Sequence, residues 1–182
     1  MNKGIKLKHI SGRIIDAKIR RLTNRDLDKI LLLQDFIYES MVDKSLFAKT
    51  EKEEFENMIN NKGDVIGVVT EDDELIAFGA MIKPEFEKFN LGYDLNYDDK
   101  KLISIAHIES TVVHSDYRGN RLQRTMVEEL EKVAKDKGCC IFCATVAPQN
   151  EFSLNTFIKL GYKIAIEKEK YGGLKRYIVI KE

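Results

Sequence analysis

Val113-His114-Ser115-Asp116-Tyr117-Arg118-Gly119-Asn120-Arg121-Leu122-Gln123 carries a β-branched run through a short polar turn into an amphipathic run. Leu122, Met126, Leu130, Val133 and Ala134 fall on one stripe at helical spacing. They predict a helix from Arg121 to Lys137, closed by Gly138. A helix start presents free backbone N–H groups and partial positive charge, and normally attracts Asp or Glu. This start carries no acid and is surrounded by Arg118, Arg121 and Arg124. Basic residues there cost a few tenths of a kcal/mol each, a cost that a bound anion offsets. A strand running into such a helix start suits phosphate or pyrophosphate, the other reading being an ordinary strand-to-helix turn with solvated arginines.

Outward from this junction, β-rich and helical patterns alternate. Downstream lie a strand over Cys140–Val146, a helix over Asn150–Leu160, and strands over Gly161–Ile166 and Tyr177–Lys181. Upstream, a strand is expected over Lys101–Val113. Before it, Asp64–Thr70 and Leu75–Ile82 form a hairpin about the acidic turn Glu71-Asp72-Asp73-Glu74. A helix spans about Thr50 to Asn60, with Phe55, Met58 and Ile59 at helical spacing. Another begins near Leu27 behind a capping-box pattern, with Thr23 at the N-cap and Asp26 in place of Glu. Ile5 to Leu22 reads as one or two short strands. The order predicts a mixed α/β sheet, not a doubly wound parallel one.

The chain has 182 residues, two prolines and no Pro/Gly/Ser-rich linker, which points to one domain over residues 1–182. Thirty basic and thirty acidic residues cancel, so no global field draws it to nucleic acid or to an anionic membrane. No N-terminal stretch reads as a signal peptide or a membrane span, so a cytoplasmic protein is expected. Cys140 and Cys143 have Cys-x-x-Cys spacing, but no second pair and no nearby His complete a zinc site. With Cys139 they sit in an apolar strand and read as small core residues, so no metal is expected.

The turn Tyr-Arg-Gly-Asn-Arg-Leu-Gln resembles the acyl-CoA-binding motif of the GNAT superfamily of N-acetyltransferases, Arg/Gln-x-x-Gly-x-Gly/Ala. Arg118 matches its first position and Gly119 the frequent Gly after it. Arg121 and Gln123 stand where the family has Gly and Gly or Ala. Arg121 is expected to fit the first helical turn and add a phosphate contact, and Gln123 to point away or bond the cofactor. A second stretch, Asn150-Glu151-Phe152-Ser153 with Phe157, Gly161 and Tyr162, resembles the family's Asn-x-x-Ala/Ser-x-x-x-Tyr-x-x-x-Gly-Phe/Tyr pattern. The resemblance implies a six- to seven-stranded, mostly antiparallel sheet with helices on both faces and two central strands splayed apart. It implies acetyl-CoA as co-substrate, held by the backbone of Thr111, Val112 and Val113, the turn from Arg118 through Gly119, Asn120, Arg121 and Leu122 to Gln123, and Asn150 with Ser153.

Period-two alternation places His107, Glu109 and Thr111 on one face of their strand and Ala106, Ile108 and Ser110 on the other. A carboxylate in a central strand is costly unless paired or hydrated, and desolvation favours its protonated form, which suits a general base. In the family an acid on this strand often plays that part, so Glu109 is the expected base, with His107 as alternative or relay partner. The family's general acid is a Tyr where this chain has Phe157, so the acid is unassigned. The acceptor is an amine of a small molecule or peptide, with a homodimer allowed. In the connection Lys83–Lys100, Phe86, Phe89, Tyr93 and Tyr97 lie among five acids, a composition that suits a cationic amine or a solvated hairpin. The rival readings are a non-catalytic acyl-CoA-binding or interaction module, and a nucleotide-binding protein. The latter lacks a Gly-x-x-x-x-Gly-Lys-Ser/Thr loop.

Overall fold

The computed structural model describes residues 2–182. Its centre is an eight-stranded sheet in the order β1-β2-β3-β4-β5-β6-β8-β7. The strands are β1 (Asn2–Lys8), β2 (Ile14–Arg21), β3 (Gly63–Thr70), β4 (Leu75–Ile82), β5 (Ile105–Val113), β6 (Ile141–Val146), β7 (Lys163–Lys170) and β8 (Leu174–Lys181). The strand beyond the expected six or seven is β1, which hairpins onto β2 at the sheet edge. Every pairing is antiparallel except β5 with β6.

The helices divide between the two faces. On one face α1 (Leu27–Ser40) and α2 (Lys52–Asn57) cover β3 and β4 through Ile30, Leu33, Phe55, Val65 and Phe78. On the other lie α4 (Leu122–Asp136) and α5 (Glu151–Lys159). The stripe read from the sequence is the buried face of α4, with Met126, Leu130 and Ala134 fully buried. Covered on both sides, β3 and β4 are buried along their whole length. Gly79 lets α4 approach, since a Cβ there would meet Met126 Cβ and Leu130 Cδ1 at 3.0 Å.

The Thr23–Asp26 pattern does form, with the Asp26 carboxylate accepting from the Thr23 N–H at 2.9 Å. Arg20 donates to the same carboxylate through both guanidinium ends, at 2.9 and 2.6 Å. Asp26 is 6% exposed, and the Arg20 contact holds its pKa down at about 2.

Residues 101–104 depart from the expected strand. Asp98 caps a short helix, α3 (Asp99–Leu102), by accepting from the Lys101 N–H, and β5 begins only at Ile105. The closing strands run longer than expected, from Lys163 to Lys170 and from Leu174 to Lys181.

Candidate active site

The site is built by two irregularities in β5. The first is the splay. β5 and β6 pair only at Ile105–Ile141, Ala106–Phe142 and His107–Cys143. Beyond His107 the two strands share no ladder, so backbone groups on that side of β5 face a notch.

The second is a bulge. Against β4, Ala80 opposes Ser110 but Met81 opposes Ile108, leaving Glu109 as the extra residue. The bulge corrects the expectation that His107, Glu109 and Thr111 share one face. His107 and Glu109 stay together, with His107 Nδ1 3.0 Å from Glu109 Oε1. Thr111 turns to the α4 face, where its Oγ1 accepts from Gln123 Nε2 at 3.2 Å. Ser110 crosses to the α1–α2 face and bonds Thr50 Oγ1 at 2.8 Å. An inserted residue shifts the two-residue phase by one, so positions beyond it exchange faces.

The His107 ring is assigned by its neighbours. Its Nε2 lies 3.1 Å from the Leu91 N–H, which can only donate. Nε2 therefore carries the lone pair, Nδ1 carries the proton, and that proton points at Glu109. His107 is 2% exposed. In this orientation both ring nitrogens are engaged, Nε2 by Leu91 and Nδ1 by Glu109.

Glu109 lines a cavity of about 420 Å³ on the α1–α2 side of the notch. Phe47, Phe89, Thr145, Tyr171 and Arg176 are among its other walls. Arg176 and Tyr171 escaped the sequence reading. The available signal was phase, because Arg176 keeps step with Ile178 and Ile180 along β8. Tyr171 is 51% exposed, but its hydroxyl is crowded and bonds Thr145 Oγ1 at 2.9 Å. Burial, then the Glu109 carboxylate, raise its pKa above the usual phenol value.

At the other end of the notch, α4 begins. Gly119 sits at φ +86° and Arg121 at φ +57°. Arg121 is thus the left-handed N-cap of α4 rather than a member of its first turn. Gly is the residue that adopts this conformation without cost, which accounts for Gly at this place in the motif. Among the described residues, the N–H groups of Gly119, Asn120, Arg121, Leu122, Gln123 and Arg124 meet no acceptor. Among the described residues Arg118 and Arg121 form no ion pair, whereas Arg124 Nε is held by Glu128 at 2.9 Å.

The Asn120 side chain is spent on structure. Its Oδ1 accepts from the Lys8 N–H at 2.9 Å, and its Nδ2 donates to the Lys8 and Tyr117 carbonyls at 2.8 Å each. Gln123 bridges α4 to the notch, donating to Ser153 Oγ at 2.8 Å as well as to Thr111. Asn150 caps α5, its Oδ1 accepting from the Ser153 N–H at 3.2 Å. Thr111, Gln123, Ser153 and Asn150, scattered in sequence, therefore meet at one place. Phe157 lies in the core against Tyr162, ring centroids 4.9 Å apart, and does not face the cavity.

Cys139 and Cys143 are buried, as expected, while Cys140 is exposed. Burial pushes the Cys143 thiol up to about 12, so it stays protonated and is a poor nucleophile. Among the described residues no group of three metal-ligating side chains comes together, and no helix is long and apolar enough to cross a membrane.

Solved structures share this architecture. A putative acetyltransferase from Acinetobacter baylyi aligns over 91% of this chain and 92% of its own, with a TM-score of 0.65 at 20% identity. The PaiA N-acetyltransferase of Thermoplasma acidophilum, solved with coenzyme A, aligns over 91% and 98%, with a TM-score of 0.62 at 19% identity. NAA60 of Arabidopsis thaliana, solved with acetyl-CoA, aligns over 91% and 98%, with a TM-score of 0.68 at 17% identity. No match to the sequence is found among curated proteins. The model of the acetyltransferase (GNAT) family matches residues 32–162, and the chain belongs to that family.

Proposed function

We propose that this protein transfers an acetyl group from acetyl-CoA to a primary amine by direct attack, with Glu109 as general base. The observation that carries the reading is the run of six unpartnered amides, Gly119 to Arg124, opening α4 beside the splayed edge of β5. Six N–H donors at a positive helix end fit a diphosphate, and Arg118 and Arg121 add charge without competing carboxylates. The backbone of Thr111, Val112 and Val113, with Asn150 and Ser153, fits the arm that joins the diphosphate to the thioester. Bound there, acetyl-CoA would supply the activated acyl group. PaiA was solved with coenzyme A and NAA60 with acetyl-CoA, which supports a CoA thioester as the co-substrate.

Glu109 takes the proton of the attacking amine, which must be neutral to react. His107 fixes the carboxylate through its Nδ1–H, and the Leu91 N–H fixes the ring. Tyr171, kept protonated by its surroundings, is the hydroxyl positioned to return a proton to the departing sulfur. An acyl-cysteine route finds no support, because Cys143 is buried as a neutral thiol outside the cavity wall.

The test is a thermal-shift comparison of acetyl-CoA, CoA and ATP, followed by thiol release from acetyl-CoA over an amine panel. Both thioester and free CoA should raise Tm by mass action, and ATP should not match them. No shift with either CoA species sinks the reading.

A further inference from the structure

Arg176 is the one cation on the cavity wall that no carboxylate neutralises among the described residues. Lys49 is paired with Asp35 at 2.6 Å, and Lys170 is paired with Asp94. Arg176 is 4% exposed and has no carboxylate within 4.0 Å. Its hydrogen bonds go to neutral carbonyls, and its guanidinium carbon lies over the Tyr171 ring, 5.7 Å from the centroid. One terminal nitrogen donates to the Lys175 carbonyl at 2.9 Å and the other to the Ser45 carbonyl at 2.7 Å. The carboxylate that acts on it from farther off, after burial and Tyr171, is Asp43, which accepts from the Ser45 N–H at 2.9 Å and the Ser45 hydroxyl at 2.6 Å. The carboxylates on the cavity wall are engaged too. Glu54 accepts from the Glu51 N–H at 2.8 Å, and Glu109 from His107.

A guanidinium has five N–H donors, and two are used here. A buried charge without a counter-ion is costly to hold, and the remaining donors form the planar fork that matches a carboxylate. The two carbonyls fix the head group in advance, so a ligand does not bear the cost of ordering it. The same cavity presents Glu109 to an amine.

We propose that Arg176 binds a carboxylate of the acceptor, so that the acceptor is a small molecule carrying both an amine and a carboxylate. This rests on the acetyl-transfer reading above and gives its substrate class. It also replaces the cationic acceptor suggested by the aromatic and acidic composition of residues 83–100. Four of the five acids there are engaged within the protein, Glu85 by Lys83 at 3.7 Å among them. Asp94 is held by Lys168 and Lys170, Glu87 by Lys62, and Asp98 caps α3. An unpaired cation in the wall also repels polyamines.

The test measures thiol release with saturating acetyl-CoA for straight-chain ω-amino acids, from glycine upward, against their carboxamides. At the best chain length the acid should exceed its amide by about 10- to 100-fold in kcat/KM, mostly through KM, as a charge-assisted contact predicts. Arg176→Gln should level the pair while keeping the thermal shift with acetyl-CoA. Arg176→Lys should retain a reduced preference, and it decides the matter if Arg176→Gln does not fold. Amides turned over as well as acids, or a preference that survives in Arg176→Gln, overturns this proposal alone. Absence of thiol release with every amine overturns the acetyl-transfer reading and this proposal with it.

Discussion

Replacing Glu109 by Gln separates the charge of the carboxylate from its geometry. The amide oxygen of Gln can still accept the His107 Nδ1–H that now lies 3.0 Å from Glu109 Oε1. The Glu109 side chain is 24% exposed, so the new amide can reach water and leaves no sealed, unpaired group. The stability cost should therefore stay within about 1 kcal/mol. What is lost is the proton acceptor at the notch. A positioned base contributes about 10²- to 10⁴-fold, or roughly 2.7–5.5 kcal/mol of barrier at about 1.36 kcal/mol per decade. Partial exposure argues for the lower half, since water can relay part of the proton transfer. The expected result is a fall in kcat of about 10²- to 10³-fold at pH 7, with acetyl-CoA affinity by calorimetry unchanged. The deficit should then shrink as pH rises. An amine that deprotonates in bulk solvent needs no base, and each unit of pH toward its pKa of about 10 recovers roughly tenfold. Thiol release measured from pH 6 to 9.5 reads both effects. Wild-type turnover in Glu109→Gln at pH 7, or a deficit constant across the range, would refute the base assignment.

Three further outcomes follow from the same geometry. Gln123→Ala removes the bridge from α4 to Thr111 and Ser153; it should cost about 1 kcal/mol of stability yet tighten acetyl-CoA several-fold, and weaker binding by calorimetry would make Gln123 a ligand instead. Arg121→Gly releases the left-handed strain at φ +57°, worth about 1–2 kcal/mol less the entropy cost of Gly; Tm should rise by about 2 °C, whereas Arg121→Val should lower it, and the reverse order would show that the N-cap is unstrained. Asp26→Asn removes a carboxylate whose folded pKa of about 2 lies below its ordinary 3.8. A depressed carboxylate stabilises the fold above its unfolded pKa and loses that contribution as pH falls. The difference of nearly two units is worth about 2 kcal/mol at neutral pH, so urea midpoints of Asp26→Asn and wild type should differ at pH 7 and converge between pH 4 and 2.

What the sequence disclosed and what it concealed separate by the range of the interaction involved. The hairpin of β3 and β4, the buried stripe of α4 and the caps at Asn150 and Thr23 are set by residues a few positions apart, and local pattern reads them. The short helix α3 depends on one Asx cap, Asp98, and the apolar run after it hid that helix inside an expected strand. Asp94 and Glu87 looked like part of a receptor for a cation because their partners, Lys168 and Lys170 on β7 and Lys62, lie far away in the chain. Arg176 was legible only by phase, one basic residue of thirty in step with Ile178 and Ile180.

The bulge at Glu109 was the least legible feature and the one on which the chemistry turns. Ala-His-Ile-Glu-Ser-Thr-Val-Val alternates acceptably in either phase, because Ser110 and Thr111 are near equals in size and polarity. Nothing local decides which of them faces α1 and α2. The decision comes from outside the strand, from Thr50 bonding Ser110 on one face and Gln123 bonding Thr111 on the other. With regular alternation, Thr111 would stand beside Glu109 and the α4 side of the notch would lose its contact to Gln123. By inserting one residue, β5 presents a His–Glu pair to the cavity and, two residues later, a different face to α4. In the proposed acetyl transfer, one strand thereby serves both sides of the reaction. Its unpaired edge lies between them, where the thioester must sit if acyl group and amine are to meet.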